Sequence, residues 1–590
     1  MGFVNLDSNY QLNGFYDEML AAPGRPRASY RRLYEHLERL GPAELERRHQ
    51  LALQMFRNHG ITFAVYPDAQ GTEKVFPFDV IPRVIDARTW RRLEDGLKQR
   101  LRALNLFLDD VYGRKLILKQ HAIPPEIVLS SSLYLREVEG LPVPHGIHCH
   151  IAGIDLVRDE KGDFFVLEDN VRTPSGASYV LANRYVMKRV LPDLFAGYPV
   201  RPVEGYVHEL LRHLRWLAPA GIDDPTVVLL TPGINNSAYY EHLYLAKQMG
   251  VELVEGSDLV VDDDHVFMRT TRGLRPVHVI YRRIDDEWLD PIFGRQESLV
   301  GVAGLVNAYR AGNVAIANAL GNGVADDKAV YSLVPKLIRY YLDEDPILPN
   351  VETYLCAVDS DRRYVLEHLA TLVVKTVDAS GGYGMLIGPA STTEEREEFS
   401  RRITAVPRAF IAQPVVALSV QPVLDGGGLR RGHQDLRPFV LTGPDEYVTP
   451  GGLTRVALKP GSGRQQLAGR RQPGHLGGRG RRFRGRGCLA ARPRRSRCWA
   501  ATSSAPTTWR ESWACTSRCP STGRTNPGRI SGCGSWSSRA GTPATLANGS
   551  RRWRWWSRAR SGRRSGRASP RPASRRRRCG RRCPASCTSR

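Results

Sequence analysis

Three oxygen-bearing side chains pose the first chemical question in this sequence. Asp155 lies in the run HCHIAGIDLV, and Glu168 and Asn170 lie in FFVLEDN, with Lys161-Gly162-Asp163 between the two runs. Apolar runs around a short Gly-containing turn predict a β-hairpin. Residues two apart on a strand share a face, so Glu168 and Asn170 project together and Asp155 joins them from the first strand. Three hard oxygen donors on a rigid sheet face can hold Mg²⁺, with phosphate and water completing the shell. The same letters also suit a polar strand end with an Asn turn. His145, His148, Cys149 and His150 invite another metal reading. Alternation sends His148 and His150 to one face and Cys149 to the other, so core or substrate-pocket histidines fit better.

The second group is cationic. Lys375 emerges from the apolar strand of LVVKTVDASGGYGM, and a buried ammonium costs desolvation unless an anion meets it. Gly381, Gly382 and Gly384 let backbone N–H groups approach phosphate oxygens; a plain hairpin turn with a snorkelling Lys is the alternative. Lys328 stands at a helix start in GNGVADDKAVY, with Asp326 or Asp327 as the cap. Gln413 ends the strand FIAQPVV, where backbone groups can read an adenine edge. The planar forks of Arg437, in DLRPFVL, and Arg455, in GGLTRVAL, suit phosphate or acyl-phosphate oxygens. Each alone would also serve a surface ion pair.

These residues need a scaffold. Residues 28–58 read as one or two amphipathic helices broken at Gly41-Pro42, and Arg88 to Tyr112 repeats the pattern with Leu93, Leu97, Leu101, Leu104 and Leu108. TVVLLT, a loop and helix, then VELVEG form a β-α-β unit. DLVVDDDHVFMRT reads as a hairpin, making Asp262-Asp263-Asp264 a solvated turn. Helices are expected around 301–319, 329–343 and 393–404, with strands at TLVVKTV, MLIG and AFIAQPVV. The expected fold is α/β (α+β): an N-terminal helical region over 1–115 and a core over 116–460. Within the core, 226–290 forms a β-α-β lobe and 325–425 a nucleotide-binding lobe.

Of the 590 residues, 42% are hydrophobic and 25% charged, an ordinary globular balance. No signal-peptide pattern and no apolar run of bilayer length is visible, and Cys149 and Cys356, the two cysteines of the first 460 residues, suit a reducing compartment; the expected location is cytoplasmic, without membrane partners. The net charge of +25 is unevenly placed. Residues 461–590 hold 33 Arg, no Lys or Asp, and the single acid Glu511, so this segment alone carries +32 and the first 460 residues are net acidic. An Arg-, Gly-, Trp- and Cys-rich segment without periodicity reads as disordered. An out-of-frame reading of a GC-rich gene gives that composition. Read one nucleotide later, degenerate codons for residues 463–478 are compatible with V-V-N-S-S-Q-G-G-G-N-Q-D-T-W-V. The rivals are a nucleic-acid-binding arm and a zinc module. Cys579, Cys583 and Cys587 lack paired C-x-x-C or His partners, so zinc fits poorly.

With these motifs in view, the chain resembles the ATP-grasp superfamily. Its nearest likeness is to circularly permuted members related to the synthetase half of glutathionylspermidine synthetase. IDLVRDEKGDFFVLEDNVRTPSG is similar to the magnesium-binding segment of D-alanine:D-alanine ligase and its relatives, where an Asp and a Glu-x-Asn are ligands. LEDNVRTPSGASY, GNGVADDKAVY, SGGYGM and LRPFVLTG look like hallmarks of the permuted group, in which the magnesium strands precede both lysines. In that group GGLTRVAL is followed by an N-S-S-Q-G-G-G-type segment, which the written chain lacks.

The resemblance implies a pre-ATP-grasp lobe at 226–290 and the cofactors ATP and Mg²⁺. It further implies ligation by Asp155, Glu168 and Asn170, phosphate binding by Lys328 and Lys375, and an adenine hinge at Gln413. The implied reaction joins a small-molecule or peptide carboxylate to an amine through an acyl phosphate, with Arg437 and Arg455 on the transferring oxygens. Arg172 and the run Arg282, Arg283, Asp285 are substrate candidates, although Arg283 and Asp285 equally suit a structural ion pair. The alternatives are a phosphotransferase, a non-catalytic nucleotide-binding scaffold and a nucleic-acid binder.

Overall fold

The leucine periodicity near the N-terminus becomes two long helices in the computed structural model, which describes residues 14–65, 72–378, 384–425 and 428–457. Helix α1, Arg31–Asn58, buries Leu33, Leu37, Leu45 and Phe56, and kinks at Gly41 (φ 68°) next to Pro42. Helix α2, Ala87–Tyr112, starts where the Asp86 side chain accepts from the backbone N–H groups of Arg88 and Thr89, a standard cap. It buries all five leucines of the expected stripe, each contributing roughly 1.5–3 kcal/mol of transfer free energy. These helices form no separate layer: α1 enters one of the two large apolar cores and α2 the other, each shared with later parts of the chain.

Strands β1, Ile151–Arg158, and β2, Phe164–Asn170, form the expected hairpin. Asp155 pairs across from Glu168 and Gly153 from Asn170, with a bulge just past Asp155. Helix α3, Ala177–Val190, follows. Strand β3 (Val227–Leu230), helix α4 (Tyr239–Met249) and strand β4 (Glu252–Val254) make a parallel β-α-β unit. Asp263 and Asp264 turn the next hairpin at positive φ and are exposed. Strand β5, Val279–Arg282, and strand β6, Ala315–Ala317, complete a parallel sheet in the order β6-β5-β3-β4.

The helix expected over 301–319 is corrected here. Only Leu305–Arg310 is helical; Gly312 turns the chain at φ 77°, and Ala315–Ala317 becomes a buried strand beside β5. A short buried apolar run carries no period that separates strand from helix.

Helix α5, Lys328–Leu342, is capped by Asp327, whose side chain accepts from Ala329 N. Strands β7 (Tyr354–Leu355), β8 (Leu372–Thr376) and β9 (Leu386–Ile387), helix α6 (Thr393–Ala405) and strand β10 (Phe410–Pro414) make the next lobe. Its antiparallel sheet runs β7-β10-β8-β9. Finally β11 (Val420–Asp425), β12 (Gly428–Thr442) and β13 (Glu446–Val456) return to the first hairpin. The 15-residue β12 pairs with β11, β1 and β13, giving a five-stranded antiparallel sheet. That pairing carries residues near 440 onto the strand of Asp155.

Among the described residues no helix is long and apolar enough to cross a membrane. Gly381, Gly382 and the whole 461–590 segment, with the readings made of them, lie outside the described residues.

Candidate active site

The β1–β2 register puts the three oxygen donors on one sheet face, and neighbouring residues take the opposite face. Asp155 is buried, while Glu168 and Asn170 are half-buried. Asn170 Nδ2 is buried with no hydrogen-bond partner among the described residues, an expensive state for a structural amide.

Strands β12 and β13 bring the arginines. Arg437 binds Asp155 in bidentate fashion, through Nε to Oδ1 and through Nη2 to Oδ2 at 2.8 Å. Arg455 Nη2 reaches the same Oδ2 at 2.6 Å, while its Nε donates to Asp435 Oδ2 at 2.8 Å. Burial alone would raise the Asp155 carboxyl, but the two guanidinium groups hold it well below the usual carboxylate range. Asp435 goes the other way: burial raises it, Arg455 opposes, and the nearby Asp155 charge adds to the rise.

The lysines arrive from the other lobe. Lys328 Nζ lies 3.8 Å from Glu168 Oε2. Lys375, on β8, donates to Gln413 Oε1 on β10 at 2.8 Å, and Gln413 Nε2 donates to Thr353 Oγ1 at 3.0 Å. The Gln413 side chain is thereby committed to holding the lysine. Burial pushes Lys375 down, Glu168 and Asp155 oppose and Lys328 adds to the fall, which leaves it at about 8. Two carboxylates and two ammonium groups thus share one electrostatic neighbourhood. Gly384 closes the loop after β8 at φ 65°, where an added Cβ would meet Thr376 Cγ2 at 2.9 Å.

This assembly has a counterpart among known families: the sequence profile described as "Circularly permuted ATP-grasp type 2" matches residues 82–457. The chain belongs to the circularly permuted ATP-grasp type 2 family. Over 455 residues this ATP-grasp chain is 54% identical to an uncharacterized protein of Synechocystis sp., covering 77% of the present chain and 95% of that one. An uncharacterized protein of Mycobacterium tuberculosis is 51% identical over 448 residues, 76% of this chain and 81% of its own. A Frankia casuarinae protein provisionally named a glutamate–cysteine ligase is 42% identical over 455 residues, 77% of this chain but 52% of its own length. That name therefore belongs to a chain about twice as long as the shared part. A glutathione synthetase-like effector of Globodera pallida aligns at 11% identity and TM-score 0.49, over 70% of this chain and 95% of that one.

The expected substrate residues of the ATP-grasp chain divide sharply. Arg282 is corrected to a structural role. It is fully buried and donates to the carbonyls of Asn318, Ile284 and Ala319 and to Asn322 Oδ1, with Asp286 at 3.1 Å, so that each of its three nitrogens is engaged within the fold. Arg283 is corrected as well, because its ionic partner is Glu241 at 3.1 Å and not Asp285. It also donates to Pro174 O and Ser175 Oγ, pinning the loop after β2. Asp285 itself is exposed. Arg172 pairs with Asp326 at 2.6 Å, so the two candidate caps have separate jobs, Asp326 on the arginine and Asp327 on the helix.

His148 and His150 are core residues, whereas His145 is exposed and stacks on Trp216. Burial pushes His148 down to about 4 and His150 to about 3, and Cys149 is buried with its thiol pushed up.

Sequence reasoning missed Asp435 and Glu241. Glu241 sits inside α4, where YYEHLY gives it the look of a surface residue. It is buried and accepts from Gly176 N at 2.7 Å, Ser178 N at 3.1 Å and Ser178 Oγ at 3.0 Å, filling the N-terminus of α3. Gly176 there has φ 124°, and an added Cβ would meet Leu453 and Phe439.

Proposed function

We propose that this chain is an ATP- and Mg²⁺-dependent carboxylate–amine ligase that forms an amide or peptide bond through an acyl phosphate. The observation that carries the reading is the convergence of Asp155, Glu168 and Asn170 with Lys328, Lys375, Arg437 and Arg455. These groups come from two lobes and from positions nearly three hundred residues apart.

The donor set fits Mg²⁺: three oxygen-bearing side chains, two of them carboxylates, on one sheet face. Asp155, Glu168 and Asn170 would hold the ion, and bound Mg²⁺ would supply charge neutralisation between nucleotide phosphates. Lys328 and Lys375 meet the phosphates, Gln413 orients Lys375, and Gly384 lets the backbone come close to phosphate oxygens. The substrate carboxylate oxygen attacks the γ-phosphorus and ADP leaves. The amine nitrogen then attacks the acyl carbon, releasing phosphate and a proton. Arg437 and Arg455 face the oxygens on which negative charge accumulates, and positioning with charge neutralisation is most of what such transfer needs. Arg172 and Asp285 are the rim residues proposed for the acid and the amine. Residues 226–290 serve as the pre-ATP-grasp lobe and 325–425 as the ATP-binding lobe.

An ADP-release screen of the purified chain over pairs of acids and amines tests the proposal. ADP should appear in quantity only when both partners are present. A stable phosphorylated acid, formed at full rate without amine, would replace the ligase with a phosphotransferase.

A further inference from the structure

Asp155 carries two duties that compete for the same lone pairs. Its Oδ1 accepts from Arg437 Nε, and its Oδ2 accepts from Arg437 Nη2 at 2.8 Å and Arg455 Nη2 at 2.6 Å. A carboxylate offers about four acceptor sites. Three are filled, two of them on Oδ2, so a cation that takes Asp155 through Oδ2 or through both oxygens has to displace an arginine.

The two arginines differ in what they fall back on. Beyond Asp155, Arg437 Nη1 has the carbonyl of Ser175 at 3.3 Å. Arg455 has a second carboxylate. Asp435, fully buried, accepts from Arg455 Nε at 2.8 Å, from its Nη2, and from its backbone N–H at 3.2 Å. The two residues are direct cross-strand partners on β12 and β13. Asp435 is itself fixed, since Arg83 donates to its backbone carbonyl at 2.9 Å and is held by Glu18.

We infer that Asp435 is a positioning residue: it keeps Arg455 paired when Asp155 turns to a divalent cation, and so makes Asp155 available as a ligand. The inference rests on the proposed assignment of Asp155 to the cation. Without the Asp435 charge, Asp155 is the carboxylate left hydrogen-bonded to Arg455 among the described residues, with the Glu168 charge farther off. Cation binding then takes from a partly buried guanidinium its hydrogen-bonded counter-charge, which is unfavourable. With Asp435 present, Arg455 shifts its weight between two carboxylates and stays neutralised throughout.

The test uses the full chain with Mn²⁺ as the probe, its binding followed by electron paramagnetic resonance in the presence of ADP, so no turnover is required. Asp435→Asn should weaken Mn²⁺ binding about tenfold, the loss expected from one charge-assisted bond. Adding Arg455→Ala to that variant removes the competitor and should restore Mn²⁺ affinity to near the parental value. Unchanged affinity in Asp435→Asn overturns the inference. A double variant as weak as the single one overturns it too, because the loss would then be general damage to the sheet. The underlying assignment fails separately, if Asp155→Asn binds Mn²⁺ as well as the parent does.

Discussion

Adjacent residues on strand β2 meet opposite fates. On one face Asp169 is gripped by Arg100 of α2 through two bonds of 2.6 and 2.7 Å, and both side chains are essentially inaccessible. A third arm of Arg100 goes to Asn350 Oδ1 at 2.8 Å. On the other face Glu168 has Lys328 at 3.8 Å, and Asn170 leaves its amide nitrogen unbonded among the described residues. Identical backbone and similar chemistry thus produce a saturated pair and an under-satisfied one. Saturation marks a residue whose energy is already committed to the fold. At Glu168 and Asn170, beside the lysines and arginines, under-satisfaction fits capacity left for a ligand, because a buried polar group without partners is costly to keep.

The contrast can be broken from either side. Arg100→Ala leaves Asp169 buried without its counter-charge and should destabilise the protein by about 3–5 kcal/mol, read from chemical denaturation midpoints; a loss below 1 kcal/mol would erase the distinction between the faces. Glu168→Gln should do the reverse. Ligase turnover should fall about hundredfold or more, while unfolding free energy stays within about 1 kcal/mol of the parent.

Lys375 sharpens the same contrast through pH. Its ammonium, pushed down to about 8 by burial, attracts phosphate only while protonated. Nucleotide affinity in the unliganded chain should therefore fall as pH rises through 8, by up to about tenfold per unit, in a titration from pH 7 to 10. Lys375→Arg should flatten that limb, since a guanidinium keeps its proton there. The smallest effect belongs to the rim. Asp285→Asn should raise the KM of one substrate severalfold while shifting stability by about 0.5 kcal/mol or less; no change in either substrate's KM would remove Asp285 from the site.

The hairpin of Asp155, Glu168 and Asn170 was legible because period-2 alternation and a Lys-Gly-Asp turn are local signals. Lys328 at its helix start and Lys375 on its strand were legible for the same reason, as was the leucine stripe of α2. Partner choice was not legible. Arg283 chose Glu241, forty-two residues upstream, over Asp285 two residues away, because Asp285 lies past the end of β5 at an exposed position while packing brings α4 close. Arg282 looked like a substrate residue since no local pattern distinguishes an exposed guanidinium from one sealed among carbonyls. Asp435 escaped notice beside Arg437 because its importance depends on the β12–β13 register, a non-local fact. The short strand Ala315–Ala317 was hidden by an apolar run that fits either period.

Strand β12 also restricts how this family member can change. Asp435 and Arg437 stand on a single continuous ribbon paired on both edges. Inserting or deleting one residue upstream of them within that ribbon would turn both side chains to the wrong surface. A one-residue change of length along 428–434 would thus cost the site both groups at once, whereas a substitution there leaves their facing intact.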